Sequence, residues 1–173
     1  MPDTYQGAEL WDQSLVDPDN RRPVDYARRI EQLSGNAEPG DLMASWRDGA
    51  VKQAIIARAL RLRREMPEFF ENADYRKLEA QGPAAPHVLA FTRYHRGQLL
   101  IAAVTRLPAS LLADAITPVV SPEAWRGTSI MLPAGEWRDA LGGKIAAAGE
   151  MPVAALFARL PVALLVSANT QGS

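Results

Sequence analysis

Apolar positions along this chain follow two different periods, and the change between them divides it. Val24, Ala27, Ile30 and Leu33 recur every three residues, which predicts a helix starting near Pro23 and ending at Gly35. A linker with Pro39-Gly40 follows. Val51, Ala54, Ile55, Ala59, Leu62 and Met66 form the apolar face of a second, stronger helix, expected over Gly49 to Met66 behind an Asp48 cap. Phe69 and Phe70 sit in a short turn just after Pro67. From Tyr75 onward the helical period is lost. Short apolar segments, split by Gly and Pro, take its place. His87 to Tyr94 and Gln98 to Val104 flank Arg96-Gly97, a hairpin signal. Thr128 to Leu132, Met151 to Phe157 and Val162 to Val166 are further strand candidates, with Pro133-Ala134-Gly135 and Gly142-Gly143 as turns. Pro108 to Trp125 is ambiguous, with Ala109 to Ile116 a helix candidate. The count is about five to seven short strands, the spacing of a small antiparallel sheet or sandwich. The fold class is α+β, with a boundary expected between residues 74 and 75.

Composition narrows the function without naming it. The 173 residues are 47% hydrophobic and 23% charged, ordinary for a globular domain. Lys+Arg 19 against Asp+Glu 20 leaves a net charge of −1, which argues against a nucleic-acid or anionic-membrane surface. There is no cysteine, so disulfides and thiolate chemistry are excluded, and a cytoplasmic location is expected. No apolar run approaches the roughly 18 residues of a membrane span.

The densest chemistry lies at the start of the chain. Asp3, Glu9, Asp12, Asp17, Asp19 and Asp25 are six carboxylates among turn residues, with Tyr5, Trp11, Asn20 and Arg21 between them. A retaining glycosidase needs two carboxyls about 5 Å apart, one with a raised pKa. Loop position alone makes no such pair, and no catalytic residue is assigned. Elsewhere, Arg58, Arg61, Arg63 and Arg64 read as a solvated helix face with acid partners. His87 and His95 lack ligand spacing, so no metal is assigned, and no cofactor is expected. Trp125 and Trp137 read as packing residues rather than a carbohydrate-binding face.

The opening residues also carry a family resemblance. Pro2-x-x-Tyr5-x-Gly7-x-Glu9 resembles the segment after the eighth barrel strand in the α-amylase superfamily (glycoside hydrolase family 13). The run Tyr5-Gln6-Gly7-Ala8-Glu9-Leu10-Trp11 is followed by Leu15-Val16-Asp17-Pro18-Asp19-Asn20-Arg21-Arg22-Pro23-Val24-Asp25-Tyr26. Together they resemble one branch of it, as do Trp46-Arg47-Asp48-Gly49-Ala50-Val51-Lys52 and Leu160-Pro161-Val162-Ala163-Leu164-Leu165. Members of that branch turn the reducing-end α-1,4 bond of a maltooligosaccharide into an α,α-1,1 bond, in trehalose biosynthesis.

The resemblance implies that residues 1–74 are the loop and helices ending a (β/α)8 barrel, and that 75–173 are a C-terminal antiparallel β domain. A complete barrel needs about 250 residues, so the chain is expected to be part of a longer protein. The superfamily pattern opens with a Gly two positions before the Pro, so the chain starts inside the motif. The catalytic carboxylates are implied to lie upstream, leaving this chain inactive alone. The implied partners are a maltooligosaccharide and the missing N-terminal barrel, with no nucleic acid and no membrane. Tyr5, Asp17, Asp19, Asn20 and Arg21 are the candidate substrate-binding residues, since carboxylates and guanidinium forks make paired hydrogen bonds to hydroxyls. Gly7, Glu9 and Trp11 are candidates for holding the loop. The competing expectation is a self-standing, non-catalytic accessory module whose β domain contacts glucan.

Overall fold

The computed structural model describes residues 5–14, 16–17, 21–113, 115–142 and 145–167. The first half is helical: α1 (Tyr26–Ser34), a 3-10 turn (Asp41–Asp48), α2 (Ala50–Glu65) and α3 (Pro67–Asn72). The second is mainly strands: β1 (Asp74–Leu78), β2 (Ala80–Gln81), β3 (Val88–His95), β4 (Gln98–Thr105), β5 (Ser129–Asp139), β6 (Ile145–Pro152) and β7 (Val162–Ser167). Two single-turn α-helices interrupt them, α4 (Ala109–Leu112) and α5 (Val153–Leu156), as do short 3-10 segments at Ala85–His87 and Pro122–Trp125.

Local chemistry sets the helix starts. Asp25 Oδ1 accepts the Arg28 N–H at 2.9 Å, so α1 begins at Tyr26 rather than at Pro23. Asp48 Oδ1 accepts the Ala50 N–H at 2.8 Å and starts α2, with Gly49 between them at φ 83°. Pro67 starts α3 at a first-turn position, where its missing N–H costs nothing.

All strands join one curled antiparallel sheet, in the order β1-β3-β4-β7-β5-β2, with β6 also paired to β5. The sandwich alternative is therefore corrected: among the described residues there is one sheet, not two. Arg96 and Gly97 take φ 46° and 83°, the two left-handed positions of a tight hairpin between β3 and β4. Pro133-Ala134-Gly135 is not a turn. It is a bulge inside β5, where the register with β6 jumps between Leu132 and Glu136. The Trp137 indole N–H donates to the Pro133 carbonyl at 3.0 Å, pairing a group that the bulge takes out of the ladder. Met151 to Phe157 is likewise not one strand. β6 ends at Pro152, and Val153 begins α5. β1, β2 and the 3-10 turn had no apolar pattern to announce them; β1 is almost wholly exposed.

Helices and sheet share their cores. Ile101 and Ala103 of β4 and Ala163 and Leu165 of β7 point to one side, into a core with Trp125, Trp137 and Phe157. The alternate residues Leu100 and Val166 point to the other, against Leu62 of α2 and Phe69 of α3. Met43, Val51, Leu141 and Leu160 form a third cluster at the edge of the same interface. Both tryptophans of the β region are thus core residues, at 1% and 0% exposure. Among the described residues, no helix is long and apolar enough to cross a membrane.

Ile101 is fully buried, whereas Leu60 of α2 is 48% exposed. Ile101→Ala is expected to cost about 2–5 kcal/mol in denaturant unfolding, and Leu60→Ala to stay within about 0.5 kcal/mol. Equal losses at the two sites would show that the β4 core is misplaced.

Candidate functional site

The opening loop crosses the N-terminal end of α2, and two adjacent α2 residues hold it and α1 in place. Lys52 Nζ donates to the carbonyls of Ala8 and Leu10, at 2.6 and 2.9 Å. Gln53, buried at 6% exposure, donates from Nε2 to the Arg29 carbonyl on α1 at 2.9 Å. Arg29 then reaches back to the loop. Its Nε donates to Glu9 Oε2 at 3.0 Å and its Nη2 to the Gly7 carbonyl at 2.6 Å. Its Nη1 bonds the Asp25 carbonyl at 3.0 Å, so one guanidinium joins the loop, the α1 cap and the helix.

Close approach and positive φ both favour glycine at positions 49 and 7. A Cβ on Gly49 would lie 2.8 Å from Trp11 N and 3.0 Å from Leu10 Cα, and the φ of +83° disfavours a side chain as well. A Cβ on Gly7 would lie 2.7 Å from Val24 Cγ2.

Glu9 closes the loop from within. Its Oε1 accepts the Gly7 N–H at 3.0 Å. Burial pushes the Glu9 carboxyl up, but the N–H groups of Gly7 and Glu9 and the Arg29 guanidinium outweigh it, so its pKa lies below the ordinary glutamate range. Asp12 is also held low, chiefly by its hydrogen bonds from Ser14.

Trp11 donates its indole N–H to the Trp46 carbonyl at 2.5 Å, and the two rings meet edge to face at 6.3 Å. Trp46 in turn donates to the Ile116 carbonyl at 3.1 Å, tying the 3-10 turn to the loop after α4. Lys52 Nζ sits 5.5 Å from the Trp11 ring, and Arg47 Cζ 4.9 Å from the Trp46 ring. Trp11, Asp12, Gln13, Trp46 and Arg47 line an open cleft of about 600 Å3.

The candidates from the sequence fall into three groups. Gly7, Glu9 and Trp11 are tied into the network just described. Tyr5 is 73% exposed, and Asp17 and Arg21 form an exposed i,i+4 ion pair with each other. Asp19 and Asn20 lie outside the described residues, as does Asp3. Asp25 is the α1 cap. Arg29, Lys52, Gln53, Trp46 and Arg47 were not singled out individually. Trp46, Arg47 and Lys52 belong to a segment that carried the resemblance, but nothing in its spacing says that it faces the opening loop. Among the described residues, no group of three His, Asp or Glu side chains is arranged to hold a metal.

The depressed Glu9 pKa has a definite sign. Stabilisation from its ionised form is complete above the unfolded value near 4.5 and is lost as pH falls through the folded value. Glu9→Gln is therefore expected to melt below the parent at neutral pH, and the gap to narrow as the pH is lowered from neutral through the folded Glu9 value. A gap that stays constant across that range would mean that the Glu9 charge does not hold the loop.

Comparison with known proteins bears on the whole chain. Over 169 residues, 98% of its length, it is 45% identical to proteins of Mycobacterium tuberculosis, strains CDC 1551 and H37Rv, named as maltooligosyl trehalose synthase. It spans only 19% of their length. The structure of maltooligosyltrehalose synthase from Arthrobacter ramosus superposes with a TM-score of 0.75 at 43% identity, covering 96% of this chain and 20% of that one. A mutant form of the same enzyme matches equally well. No family model matches the chain. In sequence and in fold, nearly the whole chain therefore corresponds to a C-terminal part, about one fifth, of maltooligosyl trehalose synthase.

Proposed function

We propose that this chain supplies the C-terminal part of an enzyme that converts the reducing-end α-1,4 bond of a maltooligosaccharide into an α,α-1,1 bond. Residues 1–74 end its catalytic barrel and 75–173 form its β domain. The observation that carries this reading is the 45% identity over 98% of the chain. The reaction is a double displacement, in which the terminal glucose is released, held, and returned through its anomeric hydroxyl.

The carboxylates of the opening loop fit a supporting role. Glu9 and Asp12 are held at low pKa, the opposite of what a general acid needs. Asp25 is committed to a helix cap and Asp17 to Arg21. The chain alone is then inactive, and its task is to position the freed glucose. The cleft between Trp11 and Trp46 suits that task. It combines indole faces for a sugar ring with a carboxylate, an amide and a guanidinium for hydroxyls. Tyr5, Asp17, Asp19, Asn20 and Arg21 remain the candidate substrate-binding residues in this reading. The uncovered side chains of Tyr26, Ile30 and Leu33 on α1, at 53%, 65% and 41% exposure, supply an apolar face for the barrel.

A second reading is a non-catalytic module that contacts glucan through its sheet. One observation favours it: Tyr75 is 65% exposed and stacks on Phe91 at 4.9 Å. A saturating change in Phe91 resonances with maltoheptaose, lost in Tyr75→Ala, would support this reading.

The purified chain is expected to give no turnover of maltopentaose above a mock preparation; turnover would refute the positioning role. In the chain joined to the remaining part of the synthase, Arg47→Ala is expected to release more free glucose per α,α-1,1 bond formed. The expected rise is roughly tenfold, because a poorly held glucose loses to water. An unchanged product ratio would remove Arg47 and its cleft from the site.

A further inference from the structure

β5 leaves β7 at Asp139, the last position paired, opposite Leu165. One more bond follows, from the Ala140 N–H to the Leu164 carbonyl at 2.8 Å, and then the chain turns away. Beyond that point the first half of β7 has no β5 neighbour. A cavity of about 260 Å3 fills the space between it, α5 and the end of the linker before α2. Met151, Leu156, Leu160 and Val162 make its walls apolar, and Asp139 and Arg159 are its charged groups. None of them lines the Trp11 cleft.

The two charges differ in what they already have. Arg159 pairs with Asp41 and lies against Gly40, where a Cβ would come within 2.8 Å of its Cζ. Asp139 has only backbone donors in contact. Its Oδ1 accepts the N–H of Leu141 at 2.9 Å and of Leu164 at 3.4 Å, and the Gly142 N–H also acts on the carboxylate. Among the described residues no basic side chain forms an ion pair with it. The cation that acts on it, Arg58, is bonded to the Leu141 carbonyl and to Glu38. Burial pushes the Asp139 carboxyl above the ordinary aspartate range, against the pull of those N–H groups and Arg58. Gly142 has no side chain to cover it; a Cβ there would lie 3.1 Å from Oδ2.

We propose that this cavity is a binding site for a small hydrophobic amine, with the ammonium on Asp139 and the apolar body against Met151, Leu156 and Val162. An ammonium supplies the counter-charge that a half-buried carboxylate lacks, and the apolar body gains from burial in the same step. An anionic ligand would meet the charge of Asp139. A sugar would leave most of its hydroxyls unpaired against aliphatic walls. The lining is that of a small-molecule site, mostly apolar with a few placed polar groups, and the volume suits a small ligand. The site stands independently of the synthase reading, since it shares no residue with the opening loop.

Three probes with one apolar body and different head groups test it: phenethylamine, phenethyl alcohol and hydrocinnamate. The 173-residue chain is titrated with each while the amide resonances of Leu141 and Leu164 are followed. The amine is expected to shift both saturably, about tenfold more tightly than the alcohol, and the carboxylate to shift neither. Asp139→Asn should bring the amine down to the affinity of the alcohol. Gly142→Leu, whose backbone φ is not in the left-handed region, should weaken both by crowding the carboxylate. The absence of saturable shifts, equal affinity for amine and alcohol, or unchanged amine binding in either variant would overturn the proposal. Should Asp139→Asn fail to fold, the parent's amine-to-alcohol ratio and Gly142→Leu decide it.

Discussion

Strands β4 and β7 have no polar face, and the rest of the molecule is arranged around that fact. Their side chains alternate as in any strand, but both sets are buried. Ile101 pairs with Leu165, and Ala103 with Ala163, toward the core that holds Trp125, Trp137 and Phe157. Leu100 pairs with Val166, and Ala102 with Leu164, toward α2 and α3. An antiparallel sheet exposed on one side would tolerate polar residues at alternate positions. Here neither side can. The pair therefore fixes where the helices lie, and the helices in turn fix where the opening loop lies, because Lys52 and Gln53 project from the same α2 that buries Leu62.

That constraint also explains which elements were legible beforehand. The unbroken apolar run of β4 and the Arg96-Gly97 hairpin need only local pattern and a two-residue turn, and both were readable. So was α2, whose cap and apolar stripe are written in consecutive residues. The bulge in β5 was not. Pro133-Ala134-Gly135 is turn chemistry in any window, and only pairing with β6 on both sides shows that the chain continues straight on. β1 escaped because an edge strand packed on β3 needs little burial of its own. α5 escaped because an apolar stretch of that length fits strand and helix equally.

The opening loop was legible as chemistry but not as geometry. Its acids and aromatics stand out in sequence, yet the groups that organise it come from positions far along the chain. Arg29 is contributed by α1, Lys52 and Gln53 by α2, and the Trp46 carbonyl by a 3-10 turn with no sequence signal. A carboxylate at residue 9 reads in sequence as a loop-holding group, but what it holds is visible only once Arg29 and the Gly7 N–H are placed beside it. Those two contacts, which also hold its pKa below the ordinary glutamate range, suit a charge that ties the loop together.

The segment from Tyr5 to Ser34 differs in kind from the sheet it rests on. α1 is nine residues long and buries no side chain, and a helix of that length is not stable in water by propensity alone. Its order comes from Asp25 at one end, the Arg29 bonds in the middle, and Gln53 beneath it. Each such bond contributes roughly 1 kcal/mol net, whereas a fully buried aliphatic side chain contributes about 1.5–3. Tyr26, Ile30 and Leu33 remain outside that arrangement, spaced along one stripe of the helix. A polar lock with an uncovered apolar stripe above it holds the loop in register but leaves most of the available burial unused. In the proposed synthase that burial belongs to the barrel. The polar contacts would then set the geometry of the cleft beside Trp11 and Trp46, and the apolar face would supply the stability that they do not.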